Sequence, residues 1–197
     1  MKNIITILFI LVLGYQSKLF GLNIDVTQGR IEPLPIAIVD FNYDYDNEQI
    51  FSTQINALVS KNLGNTGLFK ILPETAFLQE KSEVFLQPLF SDWKLIDANF
   101  LITGKLQLEN NLLKISFKLW DVYQEKIILN KNISGISISD WRISGHIISN
   151  LIYEGITGEK GYFDTKIVYV AEEGNDYNKI KRLALMDYDG NNHKFLT

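Results

Sequence analysis

His146 lies two residues from Ser144 and six from Asp140, the residue types of a base, a nucleophile and an orienting acid. A hydrolytic triad needs Ser–His and His–acid hydrogen bonds beside an oxyanion hole. All three residues fall on one predicted helix, where positions two apart do not face each other. A structural or interface role therefore suits His146 better. His193, the second of two histidines, stands in a predicted terminal strand with no other histidine near it in sequence. Asp187-Tyr188-Asp189 opens like a calcium loop, but its sixth position, which must be glycine, is Asn192, and no glutamate follows. Asp44 and Asp46 set two carboxylates close together. Their plainer role is to favour the N-terminus of the helix that follows. With no cysteine in the chain there is no thiol nucleophile, disulfide framework or cysteine zinc site. No glycine-rich phosphate loop or dinucleotide fingerprint occurs. The residues point to no catalytic site, no metal and no cofactor.

Composition agrees with a binding or structural protein. The 197 residues are 46% hydrophobic and 21% charged, which is ordinary for a folded domain and excludes a disordered chain. The length suits one domain, or a small domain with a fragment of another. The formal charge is −4 and the isoelectric point about 5.2, so there is no basic footprint for nucleic acid. Aromatic residues reach 12%, but without a basic patch they do not indicate base stacking.

The first 21 residues read as a signal peptide. Lys2 supplies a short positive region, and Ile4 through Leu13 is almost continuously apolar before polar Gln16, Ser17 and Lys18. Such a run is too short for a bilayer core of roughly 30 Å, which takes about 20 residues, but it suits an export signal. Leu19-Phe20-Gly21 offers a cleavage site after Gly21. Cleavage removes two lysines and no acids, which moves the formal charge from −4 to −6. An exported, acidic, cysteine-free chain fits a bacterial periplasm.

The remaining chain alternates strand and helix patterns. Asn23–Gln28 alternates, with Ile24 and Val26 on one side and Asp25 and Thr27 on the other, a short-strand signal. Ile36–Phe41 reads as a buried strand after Pro33 and Pro35. Asp46 with Gln49 makes a capping-box pattern for a helix bearing Phe51, Ile55, Leu58, Val59 and Leu63, with Gly64 as its positive-φ stop. Leu68–Leu72 is a short strand, 74–87 a loop or weak helix, and Pro88–Leu95 a short helix packed through Trp93. Phe100–Glu109 and Leu112–Asp121 form the clearest hairpin, turning at Asn110-Asn111, where asparagine tolerates positive φ. Ile127–Ile133 gives a further strand. Ser139 caps a second long helix with Trp141, Ile147, Ile148, Leu151 and Ile152 as its buried stripe, and Gly158 closes it. Lys166–Ala171, Arg182–Asp187 and His193–Leu196 are short strands separated by turns. Three strands are fewer than the roughly four of a propeller blade, so this stretch reads as cut off.

Three stretches resemble the TolB family. They are Asn23–Gly29 with Pro35–Phe41; Leu63-Gly-Asn-Thr-Gly-Leu-Phe69; and Trp141-Arg142, Gly145-His146, Ile152–Phe163 and Thr165–Val170, continuing into Asp187-Tyr-Asp-Gly190 and Leu196-Thr197. The resemblance implies a non-catalytic protein with an N-terminal α/β domain and a C-terminal six-bladed β-propeller. It implies two partners: TolA in the inner membrane, held by the extreme mature N-terminus, and the lipoprotein Pal, held by the propeller. It also implies a role in outer-membrane constriction during division. Most of the first blade and the other five blades lie outside this sequence, so the Pal surface is not carried over.

The expected fold is α/β (α+β): a mixed sheet with two main helices, followed by an incomplete first blade of a β-propeller. Expected domains are a signal peptide at 1–21, an α/β domain at 22–160 and the start of a propeller at 161–197. The expected partner-binding residues are Leu22, Asn23, Ile24, Asp25, Val26, Thr27, Gln28 and Gly29, which would add as a strand to a partner's sheet edge. Neither a small-molecule substrate nor nucleic acid is expected. The competing reading is a small exported α/β enzyme or solute-binding protein. A pocket that collects titratable groups with shifted pKa values would favour it, whereas a scaffold should show none. Trp93, Leu106, Phe117, Leu119, Trp141 and Ile148 should be core, and 172–181 a loose turn.

Overall fold

The computed structural model describes residues 32–175 and 178–197. Strand β1 (Leu34–Ile38) is flanked by parallel partners on both sides, β2 (Phe69–Ile71) and β3 (Phe100–Glu109). A strand in that position is covered on both faces, which is why its sequence is a continuous apolar run rather than an alternation. Beyond β3 the sheet continues as an antiparallel meander through β4 (Leu112–Asp121) and β5 (Lys126–Ser137), giving the order β2-β1-β3-β4-β5. The expected strand at 36–41 starts and ends earlier. After Ile38 the chain still follows β3, with Val39 N–H donating to Ile102 and Asn42 N–H to Gly104, but it no longer keeps ladder geometry.

One sheet face is covered by the two long helices, α1 (Asp46–Asn65) and, further along the chain, Trp141–Thr157. Ile55, Val59 and Leu63 from the first and Ile148 and Ile152 from the second meet Ile36, Ile102, Leu106, Ile115, Phe117 and Leu119 of the sheet. Where the helices cross, Gly145 lets Leu58 approach so closely that a Cβ would sit 2.7 Å from its Cδ2. The opposite face carries Ala37, Val39 and Leu101, covered by two short helices, α2 (Lys81–Leu86) and α3 (Phe90–Leu95), through Val84 and Trp93. Gln79 fixes that layer: it accepts from Trp93 Nε1 at 3.2 Å and from Leu89 N–H at 2.9 Å, and donates to Gln87 O at 3.0 Å.

The helix ends differ from expectation. At the start of α1, Glu48 rather than Gln49 closes the turn. Its Oε2 accepts from Asp44 and Tyr45 N–H at 2.9 and 3.1 Å, while Oε1 accepts from Leu108 N–H of β3 at 2.6 Å. The capping box is thus one residue out of phase with the Asp46–Gln49 pattern, with Tyr45 as the N-cap. At the other end, Gly64 is inside the helix, and the left-handed residue is Gly67 at φ 71°. Near Ile138–Asp140 a 3-10 turn precedes the second long helix, α4 (Trp141–Thr157). Ser137, not Ser139, caps that turn, and Asp140 is the N-cap of α4. Gly158, at φ 77°, ends α4 as expected. Of the six expected core residues, Trp141 is only half-buried, packed at the margin of the core with the Arg142 guanidinium 5.2 Å from its ring. The other five are buried. The hairpin turns at Asn110 and Asn111, at φ 51° and 61°.

A second sheet, β6 (Lys166–Glu173), β7 (Ile180–Asp187) and β8 (Lys194–Phe195), is antiparallel in that order. Its strands reach further than expected, to Glu173 and from Ile180, so both ends of the expected turn at 172–181 are strand. Ala184 is its one buried hydrophobic residue among those described, and Val168 and Val170 are each 57% exposed. An aromatic group of Tyr153, Tyr162, Phe163 and Tyr188 joins it to α4, with ring centroids 4.8 to 5.9 Å apart. Native-state hydrogen exchange is expected to show weaker protection for the β6 and β7 amides than for β3 and β4. Comparable protection would show that the second sheet is as resistant to opening as the first.

Candidate functional site

A cleft of about 360 Å³ opens where the first turns of α4 meet the start of β6 and the Asp187–Asn192 turn. Helix periodicity brings Arg142 and His146, four residues apart, onto one face of α4. The turn is tightly built: Gly190 N–H donates to Asp187 O at 2.9 Å, and Asp187 N–H to Asn191 O at 2.8 Å. Gly190 and Asn192 take positive φ of 84° and 53°. This geometry drives Asp189 inward until its side chain is 1% exposed, against the Arg142 guanidinium, with which it forms a salt bridge. Asp187 accepts from Lys166 Nζ and from Asn192 Nδ2, each at 2.5 Å.

His146 is the most enclosed ionisable group lining the cleft, at 4% exposure. Its Nδ1 lies 3.1 Å from Asn62 Nδ2 of α1, and that nitrogen also donates to Ser149 Oγ at 3.0 Å. Ser149 in turn donates to Gly145 O at 2.8 Å. With the carboxamide NH2 donating twice, Nδ1 is an acceptor and the neutral ring carries its hydrogen on Nε2. Nε2 points toward Asp189 Oδ2 from 3.9 Å and has no hydrogen-bond partner, nor has the buried Arg142 Nε.

The ionisation of the group follows from its burial. Loss of solvent pushes the His146 pKa down, and the neighbouring Arg142 charge adds to this against the opposing pull of Asp187 and Asp164. Burial also lowers Arg142, opposed by Asp187. For Asp187, burial acts upward, but the hydrogen bonds from Lys166 and Asn192 outweigh it and the carboxyl is held below its ordinary value. The cleft therefore has the feature set against a plain scaffold in the sequence analysis: a pocket that gathers titratable groups with shifted pKa values. That expectation is corrected.

The chemistry of the cleft is nevertheless that of an ion-pair network. Ser144 donates to Trp141 O at 2.5 Å and makes no hydrogen bond with His146, so no serine triad forms. His146, Asp187 and Asp189 each offer an atom within 4.8 Å of the others. Both carboxylates already neutralise a cation, and His146 presents a hydrogen rather than a lone pair on Nε2, so the donor set does not suit a metal ion. Elsewhere, His193 lies between the Tyr169 and Phe195 rings. Asp44 is drawn away from the helix terminus to Lys105 at 2.7 Å and Gln107 at 3.0 Å, contacts that lower its pKa. Leu22–Gly29 and the expected signal peptide lie outside the described residues. Sequence reasoning found Arg142, His146 and the Asp187–Gly190 turn, but missed Asn62, which sits in a helix with no local signal.

A family model for the TolB amino-terminal domain matches residues 22–128. The chain belongs to the TolB family. The Tol-Pal system protein TolB of Pelagibacter ubique is 42% identical over 96% of this chain, and that of Rickettsia prowazekii 41% identical over the whole of it. The chain spans about 45% of the first relative's length and 44% of the second's. The crystal structure of TolB from Acinetobacter baumannii superposes with a TM-score of 0.71 at 25% identity, covering 84% of this chain and 39% of that one. The mixed sheet with its two main helices is therefore the TolB arrangement, with which a partial blade at β6–β8 is consistent.

Replacing Arg142 by Met is expected to strand Asp189 as a buried charge and cost about 3–5 kcal/mol. Replacing the more exposed Lys166 by Met should cost about 1 kcal/mol or less. Urea unfolding of the two variants checks the order.

Proposed function

We propose that this chain is the N-terminal portion of a non-catalytic, periplasmic component of the Tol–Pal system that works through protein–protein contacts. The observation that carries this reading is the family match beginning at Leu22, directly after the expected cleavage site. The identity to proteins named as Tol-Pal system components supports it. In this reading residues 1–21 direct export and are removed after Gly21. Residues 22–160 form the α/β domain, and 161–197 begin a β-propeller. A complete propeller would hold a Pal-type lipoprotein, and the whole would support outer-membrane integrity and constriction during division.

The mature N-terminal segment Leu22–Gly29 is assigned to a TolA-type inner-membrane protein. An extended segment adds to a sheet edge through main-chain hydrogen bonds, and alternate side chains, here Ile24 and Val26, fill pockets on the partner. The cleft fits a scaffold through its chemistry: Arg142 is paired with Asp189 and Lys166 with Asp187, and Ser144 does not face His146. Its volume and its two unpartnered N–H groups favour, as a second reading, a solute-binding role for an exported α/β protein.

Deleting residues 22–29 from the mature chain is expected to abolish binding to a TolA-type protein in titration calorimetry. An Ile24→Asp/Val26→Asp variant should weaken it at least about tenfold, or 1.4 kcal/mol. Unchanged affinity in the deletion would overturn the assignment of this segment.

A further inference from the structure

We propose that Asn62, His146 and Asp189 form a proton-operated junction, in which protonation of His146 forces the Asn62 carboxamide to turn over, opening the Asn62–Ser149–Gly145 tie between α1 and α4, and draws the imidazole toward the turn after β7. These residues are not among those assigned to the inner-membrane partner, and the proposal does not rest on that assignment. His146 stands on α4, between a carboxamide on α1 and a carboxylate in the Asp187–Asn192 turn. It is therefore the side chain through which the first helix, the second helix and the second sheet meet.

The neutral ring fits one side of this junction only. Asn62 donates to Nδ1, and the Nε2 hydrogen stops 3.9 Å short of Asp189. A second proton must go to Nδ1, where it meets the N–H of Asn62 head on. Relief requires the carboxamide to turn over and present its oxygen. That oxygen is buried and has no partner in the present orientation. Turning it also disturbs the Asn62–Ser149–Gly145 chain that ties α1 to α4, since the Ser149 hydroxyl must then leave Gly145 O to donate to the carboxamide. On the opposite side, the imidazolium Nε2–H gains charge and competes with Arg142 for the same Asp189 oxygen.

The surroundings set the direction of the effect. The charged groups facing His146 are Arg142 on its own helix, Lys166 and Asp164 at the start of β6, and Asp187 and Asp189 from the turn. From α1 the facing group is the uncharged Asn62. The cleft gives water and protons a route to the ring. Burial and Arg142 hold the folded-state pKa below the ordinary value of about 6.5. Stability from this group is therefore complete above about pH 6.5 and is lost as the pH falls toward the folded value. At pH 5.5 the loss is bounded at about tenfold in the folding equilibrium, one pH unit below the unfolded pKa.

The test is a two-dimensional NMR titration of the full chain, reading both ring nitrogens of His146. The expected result is an Nε2–H tautomer at pH 7.5 and a midpoint below 6.5. Hydrogen exchange, corrected for intrinsic rates, should show the Gly145–Asn150 amides losing up to about tenfold in protection between pH 7.5 and 5.5. In His146→Gln that pH-dependent part should vanish, while His193→Gln should keep it. Asn62→Asp, which offers Nδ1–H an acceptor, should raise the midpoint above 6.5 and remove the acid sensitivity. If His146→Gln does not fold, the titration and the Asn62→Asp variant decide. An Nδ1–H tautomer at pH 7.5, a midpoint at or above 6.5 in the parent chain, or an unmoved midpoint in Asn62→Asp would overturn the proposal.

Discussion

Ile36 and Ala37 are neighbours on a strand with a parallel partner on each side, and neither is exposed to solvent. Successive side chains of a strand point to opposite faces, so a dry β1 requires a layer above and a layer below. Everything else in the α/β region answers that requirement. The long helices α1 and α4 close one face with apolar side chains such as Ile55, Val59, Leu63, Ile148 and Ile152, interrupted by buried polar residues that are hydrogen-bonded. The short helices α2 and α3 close the other, where Trp93 supplies most of the bulk and Gln79 supplies the polar ties that a compact, irregular segment needs.

Glu48 shows how this layering is locked. It is a buried carboxylate at 2% exposure whose oxygens accept from three backbone N–H groups, two at the entry of α1 and one on β3. A charge in such a place is tolerable only because those donors replace its water. It therefore ties the entry of α1 directly to the backbone of β3. Ser52 and Asn56, one and two turns on, repeat the stitch to Phe41 O and Asp40.

Much of this was legible because it is periodic. Leu106, Phe117, Leu119 and Ile148 are where alternation or helical spacing put them, and the Asn110-Asn111 turn follows from asparagine's tolerance of positive φ. What was misread lies where two local signals compete. Gly64 and Gly67 both suit a helix stop, and it is Gly67 that takes the positive φ, its N–H donating back to Gly64 O at 3.2 Å. The Asp46–Gln49 pattern loses to Glu48 because Glu48 alone also finds a donor sixty residues away on β3. The cleft was the least legible part. Asn62 and His146 are 84 residues apart, and no spacing rule connects a mid-helix asparagine to a histidine on another helix.

The second sheet has a consequence for how the chain behaves in bulk. Ile167, Val168, Val170, Ile180, Leu183 and Phe195 leave a two-sided sheet with more apolar surface in water than its size warrants. Water released from such a surface gains entropy, so its attraction for like surfaces grows on warming near room temperature. For a chain that presents this surface to water, self-association is therefore expected to strengthen on warming.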